Sequence, residues 1–273
     1  GRLSRLADRE ITTSSTDRET SDEYERDTAA DFVLWKVRRP EDGENFWESP
    51  WGQGRPGWHI ECSAMSMKVL GESFDLHSGG VDLIFPHHEN EIAQSECATG
   101  KTFARHWFHI AHLMVEGKKM SKSLGNLHTL EDLFEQGYSA QEVRYVLLSG
   151  SYRQPLNFTF DSMKASRKAM SKLRDFATKF NFIPTTGNNL ETEFGPFQPV
   201  QDALLSDLST PEALGRCFSL VRELSEAYER GEYESRQEAV SEVCRGFQAT
   251  CDAFGLVVEP KKVNLEEIPA DVE

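Results

Sequence analysis

Phe74-Asp75-Leu76-His77-Ser78-Gly79-Gly80-Val81-Asp82-Leu83-Ile84-Phe85 reads as a strand, a glycine turn, then an aspartate and an apolar run. Upstream, Trp58-His59-Ile60-Glu61-Cys62 reads as the end of a strand, with a helix expected over 63–70. Downstream, Pro86-His87-His88-Glu89-Asn90-Glu91 reads as a helix start, with Pro86 near the first position. The N-terminal half is therefore expected to be mixed α/β. Gly79 and Gly80 would let a ligand approach the backbone. Asp82 could accept a ribose hydroxyl, as acidic residues do in dinucleotide folds. An ordinary strand-to-helix turn accounts for the same residues.

The flanks carry a candidate metal-ligand set. On a helix His87 and Glu91 are i and i+4, one turn apart on one face. An imidazole and a carboxylate at that spacing can hold one zinc ion, and Cys62, 25 positions before His87, offers a thiolate. The plainer reading makes Cys62 a buried apolar thiol, His87 a helix cap and Glu91 a solvated face residue.

Further out lies Lys119-Met120-Ser121-Lys122-Ser123-Leu124-Gly125-Asn126, a short loop bounded by Gly117 and Gly125. Lysine is a compact charge that neutralises phosphate oxygens, and serine hydroxyls add hydrogen bonds. Such a loop suits phosphate chemistry because it can tighten as negative charge develops. Taken alone, lysine-rich surface loops are common and mostly solvated.

Residues 31–127 hold all five tryptophans and seven of the eight histidines, which suggests a site built on loops. Residues 1–30 are polar and charge-dense and read as a linker. Two short helices are expected around 130–136 and 141–148. A long amphipathic helix follows over 161–182, with Met163, Met170, Leu173, Phe176, Ala177 and Phe180 on one stripe. A Pro/Gly/Asn stretch at 184–199 breaks the chain. Two more helices are expected, one from Thr210-Pro211-Glu212 to Arg230, the other over 233–254 ending at Gly255. The C-terminal half is thus an all-helical bundle. The segments are 1–30 linker, 31–127 nucleotide-binding part, 128–160 helical connector, 161–259 bundle and 260–273 tail.

At 273 residues the chain can bury a sizeable core, and its composition is that of an ordinary soluble protein. A net charge of −15 argues against a general nucleic-acid surface, so any such contact needs a local basic patch. Five irregularly spaced cysteines suggest a reducing, cytoplasmic compartment. No apolar run is long enough to cross a membrane as a helix.

The segments at 31–36, 49–65, 85–95 and 119–126 together resemble the cysteinyl-tRNA synthetases, class I aminoacyl-tRNA synthetases. The resemblance is specific from residue 31 to about 160 and weaker through the helical half. It implies an α/β fold, the second half of a Rossmann-like catalytic domain, followed by an all-α bundle. It implies one zinc per chain, held by Cys62, His87 and Glu91, with a fourth cysteine ligand outside this sequence. It places Trp58 beside the amino-acid pocket and Lys122 on ATP, with Lys119 as its companion in the loop, and it sets Gly80 and Asp82 against the adenosine. The implied substrates are L-cysteine, ATP with Mg²⁺ and cysteine tRNA, on a monomeric enzyme.

Class I enzymes also carry a His-Ile-Gly-His signature. His109-Ile110-Ala111-His112 looks like a variant but ends seven residues before Lys119, in an expected extended stretch over 107–115. It could hardly face that loop across ATP. The true element is expected before Gly1, and the chain is expected to be a middle and C-terminal piece, inactive by itself. Two other functions fit less well: the related cysteine ligase of mycothiol synthesis, and a non-catalytic synthetase-like module that binds zinc or tRNA.

Overall fold

The computed structural model describes Leu3 and residues 32–120, 125–185 and 193–261. The expected linker, apart from Leu3, and Ser121, Lys122, Ser123 and Leu124 lie outside the described residues, as does the tail beyond Lys261. The chain forms two units, Gly1–Ala111 and His112–Glu273.

In the first unit, β1 (Trp35–Val37) pairs antiparallel with β2 (Gly54–Pro56). Helix α1 (Trp58–Leu70) follows at once, because the Gly57 N–H closes the pairing on Leu34 O (2.9 Å) and leaves Gly57 at the N-cap. Then come β3 (Phe74–Gly80), a helical turn at Ile84–His88, α2 (Glu89–Thr99) and β4 (Ala104–Ile110). Strands β3 and β4 are parallel, with Phe74 opposite Ala104 and Gly80 opposite Ile110. Parallel neighbours need a crossover, and α2 supplies it. Gly100 ends α2 in the left-handed region (φ 69°), where glycine carries no Cβ penalty. Phe74, Phe103 and Ala104 form the small core, with Met67 and Trp107 packed on it.

Three sequence expectations are corrected here. Cys62 does not end a strand; it lies within α1, which starts four residues before it. The aromatic and β-branched residues Trp58 and Ile60 read as strand, but Gly57 fixes a helix start. Gly79 and Gly80 lie inside β3, and the turn falls at Val81–Leu83. The regular helix expected from Pro86 begins at Glu89, after the turn Ile84–His88.

In the second unit, β5 (Leu113–Val115) sits between β6 (Lys118–Lys119) and β7 (Leu156–Phe158), antiparallel to the first and parallel to the second. Glu116 and Gly117 both have positive φ (48° and 75°) and join β5 to β6 as the tight turn such hairpins require. That hairpin carries the exposed Lys118 and Lys119. Helices α3 (Leu130–Glu135), α4 (Ala140–Leu148) and α5 (Phe160–Lys179) each open on a capping box, Thr129 with Asp132, Ser139 with Glu142 and Thr159 with Ser162. Val115, Leu133, Val143, Val146, Phe158 and Met163 pack beneath them.

Helices α6 (Gln198–Leu205), α7 (Thr210–Glu229) and α8 (Gln237–Phe254) join α5 around a larger core that includes Phe176, Phe197, Val200, Cys217 and Phe247. The stripe read on α5 is buried at every position, none of the six more than 2% exposed. Helix α6 was not anticipated. It is short and follows the Pro/Gly/Asn break, yet Pro199 in its first turn and the buried Val200 and Ala203 are signals of it. Helix α7 starts on Ser209 as N-cap, so Pro211 is its second residue, and α8 starts at Gln237 rather than 233.

Candidate metal centre

Four elements of the first unit bring the candidate ligands together. Helix α1 supplies Cys62 and His59, the turn Ile84–His88 supplies His87 and His88, α2 supplies Glu91, and β3 supplies His77. One ligand atom each from Cys62, His87 and Glu91 lies within 4.8 Å of the others. The His87 Nε2 to Glu91 Oε2 distance is 3.6 Å. Ligands about 2.0–2.3 Å from a tetrahedral ion stand roughly 3.3–3.7 Å apart, so that pair already has the spacing of a bound set.

Glu91 is the informative residue. It is wholly buried, and its Oε1 has no hydrogen-bond partner. A buried carboxylate oxygen without a donor is costly, and a cation removes that cost. The donor set of sulfur, nitrogen and oxygen suits a borderline divalent metal such as zinc.

The electrostatics agree. Burial, then the neighbouring His59 and His77, lowers His87 to about 4, so its ring is neutral at pH 7 and keeps a lone pair for a metal. Burial, then the imidazoles of His77, His109 and His87, lowers His88 to about 3. Burial raises the Cys62 thiol, and the Glu91 and Glu61 carboxylates raise it further. A cation at the site would reverse the sign of that field and favour the thiolate.

Imidazoles hold the ligands in place. His59 Nδ1 and His87 Nδ1 share a hydrogen bond of 2.8 Å, which leaves His87 Nε2 facing Glu91. His88 Nδ1 pairs in the same way with His109 Nε2 at 2.8 Å. His77 Nε2 donates to Glu91 Oε2 at 3.0 Å. Such partners fix the tautomer and orientation of ligands. Gly79 is needed here, since a Cβ on it would stand 2.8 Å from His88 Cε1 and 2.9 Å from Nε2. Trp58 opens α1 with its ring 4.3 Å from that of His87 and is 41% exposed, so it forms an accessible wall of the site.

The sequence reading named Cys62, His87, Glu91 and Trp58, which this unit brings together. It missed His59, His77, His88 and His109; the crowding of histidines in this half was the available signal. His109, set aside in the sequence reading together with His112, lies on β4 and hydrogen-bonds His88. Gly80 ends β3, and Asp82 lies in the turn after it, the strand end where α/β sheets receive ligands. Lys119 is exposed on β6, with its carbonyl accepting from Asn126 Nδ2 at 3.1 Å. Lys122 lies outside the described residues.

Residues 1–168 match the family model of the class I (C) tRNA synthetase catalytic domain, and the chain belongs to that family. Over its full length it is 49% identical to a cysteine–tRNA ligase of Opitutus terrae, covering 56% of that protein. A cysteine–tRNA ligase of Chlamydia muridarum is 48% identical over 88% of the chain, which covers 51% of it. The chain thus spans about half the length of these curated relatives. Among solved structures, the agnB2 LeuRS of Agrobacterium radiobacter K84, in a ternary complex with tRNA and LeuAMS, matches with a TM-score of 0.54. At 15% identity, over 81% of this chain and 34% of that one, this likeness concerns the fold.

Proposed function

We propose that these residues are the metal-bearing part of a cysteine–tRNA ligase, a cytoplasmic monomer that joins L-cysteine to cysteine tRNA at the expense of ATP. The observation that carries the reading is the convergence of Cys62, His87 and a fully buried, half-partnered Glu91. The two relatives named as cysteine–tRNA ligases support it.

The chemistry explains the donor set. Cysteine and serine differ by one atom, and apolar contacts discriminate such isosteres by only about 1–3 kcal/mol. A zinc ion held by Cys62, His87 and Glu91 would bind the substrate as thiolate and disfavour a hydroxyl. Trp58 flanks His87 and would close the pocket over the substrate side chain. The cysteine carboxylate attacks the α-phosphorus of Mg²⁺-bound ATP, pyrophosphate leaves, and a ribose hydroxyl of the tRNA end then displaces AMP. Lys119 and Lys122 would neutralise charge on the phosphates, while Gly80 and Asp82 would receive the adenosine.

The test is cysteine-dependent ATP–pyrophosphate exchange and tRNA charging by a polypeptide of the relatives' length that carries these residues, beside Cys62→Ser. The expected result is exchange that falls at least about 100-fold in the variant, the scale on which metal-site support already acts. Exchange that survived Cys62→Ser unchanged would remove the thiol-selecting role; absence of exchange in the unsubstituted protein would remove the ligase reading.

A further inference from the structure

The pocket holds more ligating atoms than the Cys62 set uses. Three imidazole nitrogens converge on one carboxylate oxygen: His77, His87 and His88 Nε2 stand 3.0, 3.6 and 3.9 Å from Glu91 Oε2. Only the first of these is a hydrogen bond; the other two are too long. One ligand atom each from His77, His88 and Glu91 also lies within 4.8 Å of the others, and none of them is sulfur.

We propose that His77, His88 and Glu91 form a second, thiol-free metal position that shares Glu91 with the Cys62 set and takes a borderline divalent transition-metal ion. The inference goes beyond the proposed ligase function and does not depend on Cys62 being a ligand. Three observations support it. His88 is held through Nδ1 by His109 at 2.8 Å, the orientation expected of a ligating imidazole whose other nitrogen faces the metal. Gly79 leaves the space that this ring occupies. Glu91 Oε2 lies 3.0 Å from His77 Nε2 and 3.9 Å from His88 Nε2, while the buried Oε1 has no hydrogen-bond partner among the described residues, so the carboxylate has ligating capacity beyond its bond to His77.

Occupancy costs one tautomer exchange. His77 gives up the Nε2 proton that it now donates to Glu91, takes one at Nδ1 and ligates through Nε2, with no net change in charge. Two histidines and one carboxylate leave coordination positions open to water, a pattern that cobalt, nickel, zinc and ferrous iron all accept. Without thiolate, the position lacks the preference for soft ions that Cys62 would confer. The pocket would then keep a metal when Cys62 is unavailable, but in a place without sulfur.

The test titrates Co²⁺ into the 273-residue chain and its Cys62→Ser variant, following visible absorption and equilibrium dialysis. Cys62→Ser is expected to bind about one equivalent and to lack the sulfur-to-cobalt charge-transfer band of the unsubstituted chain. Adding His88→Gln to Cys62→Ser should weaken Co²⁺ binding at least about 10-fold, whereas adding His87→Gln should change it less than about 3-fold. His77→Gln serves in place of His88→Gln if the latter loses its native circular dichroism. A folded Cys62→Ser chain that binds no Co²⁺ would overturn the inference and leave the Cys62 site standing. So would equal losses in the His87 and His88 variants. A missing sulfur band in the unsubstituted chain that still binds Co²⁺ through His88 would instead overturn the Cys62 reading and support this one.

Discussion

Gly79 shows how much of the site rests on one missing methyl group. Its φ is ordinary, so the constraint is space: a Cβ would meet His88 and, at 2.9 Å, Leu83 Cδ1. Gly79→Ala must therefore displace the His88 ring or the strand. A cost of about 1–3 kcal/mol is expected, as for other overpacked sites. Urea unfolding measures that cost, and metal titration should show weakened binding; an unchanged midpoint with unchanged binding would mean the ring is not held where it stands. At this scale the sequence was only partly legible. The i, i+4 spacing of His87 and Glu91 reports one helix face, and the structure keeps them 3.6 Å apart. His59, His77 and His109 reach the pocket from α1, β3 and β4, and their meeting depends on strand pairing that no local spacing encodes.

Among the elements, α4 and α5 are tied by Glu142, which is buried while its partner Arg167 is half-exposed. Burial pushes the Glu142 carboxyl up, but the Ser139 N–H at 2.7 Å and the Arg167 guanidinium at 3.0 Å outweigh it and hold the group below the ordinary carboxylate range. A depressed folded value means a contribution that is full above the unfolded value, about 4.3, and lost as pH falls through the folded one. Glu142→Gln should cost about 1–3 kcal/mol at pH 7 and much less in acid. Urea midpoints of both proteins across pH 2–7 check this; a pH-independent difference would contradict it. The three capping boxes were not named from the sequence, although each is a local pattern of Ser or Thr with an acidic or hydroxyl residue three positions on. The α1 boundary was misread because Gly57 acts through a hydrogen bond to Leu34, 23 residues away. Helix α6 buries Val200 and Ala203 in the core beside Phe197.

Across the whole chain the five cysteines divide by environment, which makes thiol chemistry a map of the fold. Cys97 is exposed, Cys62 and Cys244 are half-buried, and Cys217 and Cys251 lie in the bundle core. Burial pushes Cys217 up to about 12 and raises Cys251 strongly as well. A thiol-directed alkylating reagent at pH 8 should label Cys97 first and reach Cys217 and Cys251 only after unfolding, as peptide mapping would show. Early labelling of Cys217 would contradict the packing of α7 against the bundle core. The buried stripe of α5 was legible because it repeats a helical period over many residues. The central claim is that Cys62, His87 and Glu91 hold one metal in the first unit. X-ray absorption of the zinc-loaded chain tests it most directly. The predicted result is one sulfur at about 2.3 Å among nitrogen and oxygen neighbours at about 2.0–2.2 Å, and the sulfur shell should vanish in Cys62→Ser. A first shell of nitrogen and oxygen alone in the unsubstituted chain would contradict it.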